Sequence, residues 1–367
     1  MSLPSRLSRL VSAIAPPDES AGPAIQRHLD SLTKPPGSLG RLEELARRLA
    51  IIGGGPPSVG RPVIFTFAGD HGVVEEGVSA YPQSVTAQMV ANFLGGGAAV
   101  NVLARDAGAR LVVADFGLAH PLPRSTALVD RRLGAGTANM CRGPAMTRDQ
   151  AIASLEAGAG LAEDAIAAGA DLLGTGEMGI GNSTAAAAIT AAIVGIRPEA
   201  VTGRGTGIDE VAWRRKVEVV GRALAVNRPN PLDGVDVLAK VGGFEIGGLA
   251  GVMLAGASRR VPVVVDGFIA TSAALIAVSL APAAREVLFG SHRSAEPGHT
   301  YALKHLGLTP YLDLSMRLGE GTGAALFMHL ARAAARIYSE MATFESAGVD
   351  GPGETLASRR DEEDTTR

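Results

Sequence analysis

A chain of 367 residues with 34 basic and 37 acidic side chains has a net charge of −3 and no concentrated basic surface, which argues against nucleic-acid or anionic-membrane binding. Hydrophobic residues make up 46% but aromatics only 4%, so the core must be built from Ala, Val, Leu and Ile, as suits helices packed on a parallel sheet. The single cysteine, Cys141, excludes an internal disulfide framework, argues against a thiolate metal site and fits a reducing compartment.

The first twenty residues hold Arg6 and Arg9 but no sustained apolar stretch. No later window offers an uninterrupted membrane span of about 20 residues, so a cytoplasmic, unexported protein is expected. Residues 1–57 read as helical except for KPPGSLG at Lys34 to Gly40, and leucines return at helical spacing from Arg41 to Ile52. After a second break, GGGPPSVG, the pattern changes to short apolar runs at 62–70, 110–117, 170–177 and 261–268. Each has the length of a buried strand. Ala-rich helical segments at 85–106, 149–168, 183–194 and 210–226 lie between them, which predicts an α/β fold with a Rossmann-like, mostly parallel sheet flanked by helices. The predicted strands end on or near Asp70, Asp115, Glu177 and Asp266, the edge where open α/β sheets hold ligands. A last amphipathic helix is predicted over 324–344, and the polar, Gly-rich segment 346–367 is expected to be disordered.

The densest local chemistry is GTGEMGIGNST, residues 174–184, between a predicted strand and a helix. Glycines that expose backbone amides at a helix start make an anion site without any side chain. Gly174, Gly176 and Gly179 satisfy GxGxxG, but no acidic residue ends a strand about 20 positions on, which weakens a dinucleotide reading. Gly176 and Gly181 have P-loop spacing, but Asn182 stands where the phosphate-gripping lysine belongs, so triphosphate hydrolysis is not expected. A loop for one terminal monophosphate remains, with Ser183 and Thr184 as hydroxyl donors, beside the alternative of a ligand-free turn. TGRGTGID at 202–209 repeats the pattern.

Asp70 and His71 are followed by Ser79, Tyr81 and Gln88, a candidate pocket wall. No second histidine lies at ligand spacing, so His71 reads as structural and no metal is expected. Within 291–325, Arg293, Glu296, His299 and His305 read equally well as solvated surface or as site. Glu320 stands apart: flanked by Gly319 and Gly321 and preceded by Leu314, Met316 and Leu318, it reads as a carboxylate in an apolar setting, hence a catalytic candidate.

Seven segments in one order, KPPGSLGRLE, AGDHGVVEEGVSAYPQSVTAQM, GEMGIGNSTAAAA, GGFEIGGLAG, VVVDGFIATSAALIA, SHRSAEPGH and RLGEGTGAA, resemble the nicotinate-nucleotide–dimethylbenzimidazole phosphoribosyltransferases over about residues 30–344. The resemblance implies transfer of ribosyl phosphate from nicotinate mononucleotide to a benzimidazole in assembly of the lower nucleotide loop of cobalamin. It further implies a homodimer with no metal or cofactor, and only small-molecule substrates. Carried over by position, it makes Glu320 the base, Glu177 a second active-site carboxylate and Lys216 an active-site lysine. It puts Gly179, Gly181, Asn182, Ser183, Gly205, Thr206 and Asp266 around the ribose phosphate, and Ser79, Tyr81, Gln88 and Met89 around the benzimidazole. It also implies a small helical domain formed by 1–57 with 316–345 beside a catalytic domain of 58–315. Two rivals from other classes are an NAD-dependent oxidoreductase using the GxGxxG loop and a non-enzymatic nucleotide sensor.

Overall fold

The computed structural model describes residues 5–120, 122–123, 125–205 and 207–351. Thr206 and most of the expected tail, 352–367, lie outside the described residues. Six strands, β1 Pro62–Gly69, β2 Arg110–Gly117, β3 Leu128–Asp130, β4 Leu172–Met178, β5 Val263–Val265 and β6 Leu288–Gly290, form one sheet in the order β3-β2-β1-β4-β5-β6. Every pairing is parallel, so the sheet is wholly rather than mostly parallel. Chain order runs outward in opposite directions from the β1/β4 pair, which makes the crevice at their C-terminal ends the topological switch point. β1 is buried along its whole length, as its unbroken apolar run requires. Three aromatics pack there: Phe67 stacks on Phe116 with ring centroids 4.4 Å apart and meets Phe65 at 5.8 Å.

Two strands escaped the sequence reading. β3 and β6 have three residues each, too few for a periodic signal, and pair only at the sheet's edges. The predicted helix 85–106 is instead two helices, Ser84–Gly95 and Ala99–Asp106, because Gly96 takes a left-handed φ of 77° and ends the first. Neither piece is long enough to cross a membrane, although the uninterrupted run Ser84–Asp106 is apolar enough. Helices Phe244–Ser258 and Phe268–Leu280 carry no polar face, so amphipathic periodicity could not reveal them.

The contacts divide the chain into two units: one comprises residues up to Pro16 with Gly60–His329, the other Pro17–Val59 with the chain from Leu330. Of the described residues, 5–16 and 316–329 thus group with the sheet, where the resemblance had implied a place in the helical domain. The helix Ser5–Ser12 buries Leu7, whose amide donates to Glu156 at 3.1 Å. In the helical unit, N- and C-terminal segments join through a bridge between Leu32 and Thr343 and a bond from Thr33 N to Ala342 O of 2.9 Å. The KPPGSLG break is organised by Glu43, which accepts from the Leu39 amide at 2.9 Å and pairs with Lys34 at 2.8 Å. At the C-terminal end, Phe344–Ala347 forms a short helix capped by Thr343, so order reaches just past the expected start of the tail.

Candidate active site

The C-terminal edge of β1, β4 and β5 collects a set of buried carboxylates. Glu177, the penultimate residue of β4, accepts a short hydrogen bond from the Asn182 side chain. Burial, followed by the charges of Asp266 and Glu245, pushes its carboxyl up to about 8. Glu320 lies against it, because the turn that carries Glu320 packs onto the strands. A side chain on Gly319 would meet the Glu177 carboxylate at 2.2 Å, and one on Gly176 would meet the Glu320 carbonyl oxygen at 2.2 Å. Only glycine permits that approach.

Glu320 itself has a left-handed φ of 64°. Its Oε2 accepts from the Val100 amide at 3.4 Å, in the first turn of the helix Ala99–Asp106. Burial raises its pKa, the Val100 bond opposes the rise and Asp266 adds to it. The expected apolar setting is not made by Leu314 and Leu318, which are 58% and 57% exposed. Residues distant in sequence bury Glu320 instead, to 4% exposure: β1 and β4 pack on its backbone, and the helix that starts at Ala99 meets its carboxylate.

The Gly179–Ser183 loop follows β4. Gly181, with φ of 96°, caps the helix Asn182–Val194, and a side chain there would strike Val74 at 2.7 Å. The Ile180 amide donates to Thr86 Oγ1 at 3.1 Å, which fastens the loop to the helix bearing Gln88 and Met89. Ser183 accepts from Lys216 Nζ at 2.9 Å. Lys216 is buried on the helix Glu210–Asn227; burial lowers its ammonium to about 8, with Glu296 working the other way. Gly205 lies alongside: a side chain there would reach Ser183 Oγ at 2.9 Å and Lys216 Nζ at 3.1 Å. An ammonium, a hydroxyl and a helix start converging on a glycine loop suit a phosphate monoester.

Of the sequence-predicted residues, the structure thus brings together Glu177, Asn182 and Glu320, and separately Ser183, Lys216 and Gly205. Gly179 adjoins both Asn182 and Glu245. Ser79 and Tyr81 share a bond from Tyr81 N to Ser79 Oγ of 3.2 Å, and Tyr81 is 53% exposed. Asp266 is buried with its carboxylate turned to backbone amides: Gly321 at 3.2 Å and Ala324 at 3.0 Å.

Several site residues were missed or left open. Glu245, fully buried, bonds His71 Nε2 at 2.6 Å. Burial disfavours the imidazolium, but Glu245 and Asp70 hold the His71 pKa above its usual value. The signal for Glu245 was a lone acid in GGFEIGGLAG. In 291–305 the alternatives resolve by residue: Arg293 and His305 are exposed, whereas Glu296 and His299 are buried. Glu296 accepts from the Gly205 amide at 2.9 Å. His299 accepts from Ser294 N at 2.9 Å and lies 2.9 Å from Thr271 Oγ1; burial and then His292 lower its pKa to about 3. The alternation of exposed and buried polar residues is legible only once the fold is known.

A parallel sheet in this order, with a glycine loop beside a buried lysine and acids at its switch point, defines an α/β enzyme that handles a phosphorylated sugar. In agreement, a family model described as phosphoribosyltransferase matches residues 14–349. The chain is similar to the nicotinate-nucleotide–dimethylbenzimidazole phosphoribosyltransferases of Roseiflexus sp. (strain RS-1), at 56% identity over 95% of this chain and 99% of that one, and of Geobacter metallireducens, at 55% over 94% and 98%. It is also similar to the crystal structure of the enzyme so named from Thermus thermophilus, with a TM-score of 0.87 and 50% identity over 91% of this chain and 100% of that one. The chain belongs to the nicotinate-nucleotide–dimethylbenzimidazole phosphoribosyltransferase family.

Proposed function

We propose that this chain transfers the 5-phosphoribosyl group from nicotinate mononucleotide to 5,6-dimethylbenzimidazole with inversion, releasing nicotinate and forming α-ribazole 5′-phosphate. The observation that carries this reading is the separation of charge across the site. The carboxyl groups of Glu177, Asp266 and Glu320 gather at the sheet edge, where a cation would favour their ionised forms, while Lys216 and Ser183 meet at the phosphate loop. Such a site favours a ligand that is anionic at one end and cationic at the other, as nicotinate mononucleotide is through its phosphate and its pyridinium. The pyridinium leaves C1′ as neutral-ring nicotinate without being protonated. A base removes the benzimidazole N–H, and the other ring nitrogen attacks C1′ from the opposite face. Glu320 is that base. Glu177, held up to about 8, is mostly protonated in the free enzyme at neutral pH, and a developing positive charge on the sugar would draw it towards its ionised form.

Lys216, Ser183 and Gly205, with the loop backbone from Gly179 through Gly181 to Asn182, hold the phosphate end, and Ser79, Tyr81, Gln88 and Met89 border the azole. We also read the enzyme as a cytoplasmic homodimer, a state that light scattering of the purified protein would test. Incubating the enzyme with nicotinate mononucleotide and a panel of benzimidazoles, read by mass spectrometry, tests the reaction. Nicotinate and the α-ribotide should appear together. Nucleotide binding without nicotinate release would leave a sensor, and saturable NADH binding would favour an oxidoreductase.

A further inference from the structure

The turn that carries Glu320 is strained and is held from two sides. Gly319, Glu320 and Gly321 are three consecutive left-handed residues, with φ of 86°, 64° and 101°. A glutamate in that region is unfavourable by roughly 1 kcal/mol or more and persists only where its surroundings impose it. From β1, Thr66 Oγ1 donates to the Glu320 carbonyl at 2.7 Å. Thr66 pairs in register with Gly176 of β4, the residue whose missing side chain makes room for that same carbonyl. From just beyond β5, the Asp266 carboxylate accepts from the amides of Gly321 at 3.2 Å and Ala324 at 3.0 Å, with the Gly323 amide adding a third donor. Thr66 and Asp266 are both at most 1% exposed.

Both Asp266 oxygens are therefore engaged on the backbone that follows Glu320. A phosphate placed against this carboxylate would add like charge where amides already satisfy it. We propose that Asp266 and Thr66 are positioning residues, which hold the left-handed turn so that the Glu320 carboxylate meets the azole, and that Asp266 is not a ligand of the ribose phosphate. The proposal rests on Glu320 being the base. Asp266 also acts on Glu320 through its charge; the other titratable groups beside this turn are Glu177 of β4, on which Glu320 acts, and His292, which acts on Asp266.

Steady-state kinetics of the full-length wild type, Thr66→Val, Asp266→Asn and Glu320→Gln, with nicotinate mononucleotide varied from pH 6 to 9, test this. Displacing a base by a fraction of an ångström should lower kcat roughly 10- to 100-fold in the first two variants. The KM for the mononucleotide should stay within about threefold, because the phosphate contacts are untouched. Asp266→Asn should in addition move the acid limb of the kcat profile to lower pH, since a negative charge beside Glu320 is gone; Thr66→Val should leave that limb in place. A role confined to stability would move neither kcat nor the limb once folded protein is compared. A KM raised tenfold with unchanged kcat in Asp266→Asn would make Asp266 a substrate ligand and overturn the proposal. Valine suits a buried central strand, so if Asp266→Asn does not fold, Thr66→Val decides alone, and normal kcat there would overturn it. Near-normal kcat in Glu320→Gln would remove the base itself, and this inference with it; loss of kcat in Glu320→Gln with full kcat in Thr66→Val would remove the inference only.

Discussion

Glu177→Gln should stabilise the protein, by an amount that depends on pH. The Glu177 carboxyl ionises near 4.5 when unperturbed and at about 8 in the folded chain, where it is buried among other acids. Between these values the folded state binds a proton that the unfolded state does not. The stability linked to this group is thus fully present below pH 4.5 and is lost as pH rises through 8. One pKa unit corresponds to about 1.4 kcal/mol, so two and a half units at pH 7 amount to about 3 kcal/mol, and half a unit at pH 5 to less than about 1 kcal/mol. Glutamine stays neutral and keeps an oxygen for the Asn182 amide. The variant should therefore melt about 5 °C above the wild type at pH 7, with the gap closing towards pH 5. Calorimetric scans of both proteins from pH 5 to 8 measure it. A gap that ignores pH, or a variant less stable at pH 7, would refute the view of Glu177 as an uncompensated buried acid. The same variant should lose activity, since the group destabilises the fold where the chemistry uses it.

Glu320→Gln preserves shape but cannot accept a proton, so kcat should fall roughly 100-fold or more while isothermal titration still detects both substrates. If instead Glu320→Gln worked normally and Glu177→Gln did not, the base would be Glu177. Gly181→Val should raise the KM for the mononucleotide far more than Ser183→Ala, because the loop backbone loses its left-handed residue and meets Val74; equal effects would count against backbone recognition of phosphate. Deleting residues 352–367 should leave melting temperature and kcat unchanged, since the family match ends at residue 349 and the segment is polar; a marked loss of either would show a working tail.

Strands β1 and β2 were legible almost to the residue, because buried parallel strands write continuous apolar runs between breaks. Helices buried on every side, such as Phe244–Ser258, write no periodicity, and Glu245 within that helix was passed over for the same reason. Glu320 was found by its glycine flanks, yet the reason offered, its leucine neighbours, was wrong. Leu314 and Leu318 face outward, and Thr66, Gly176 and Val100 surround it from segments between about 140 and 250 positions away. Sequence proximity is a poor guide to the dielectric around a turn, because the elements packed on the turn, here from distant segments, decide what is buried.

The interruption at Gly96 has an effect on the other side of the molecule's sequence. In an unbroken helix over 84–106, the amide of Val100 would bond to the carbonyl of Gly96, four residues back. Ending one helix and starting another releases that amide, and it turns to the carboxylate of Glu320, 220 residues downstream. The start of a helix also carries partial positive charge, which counters the burial that raises the Glu320 pKa. A left-handed glycine with no functional group of its own thereby helps to set the pH at which a distant carboxylate can work, and repairing the helix with better helix formers would detune the acid while improving the fold.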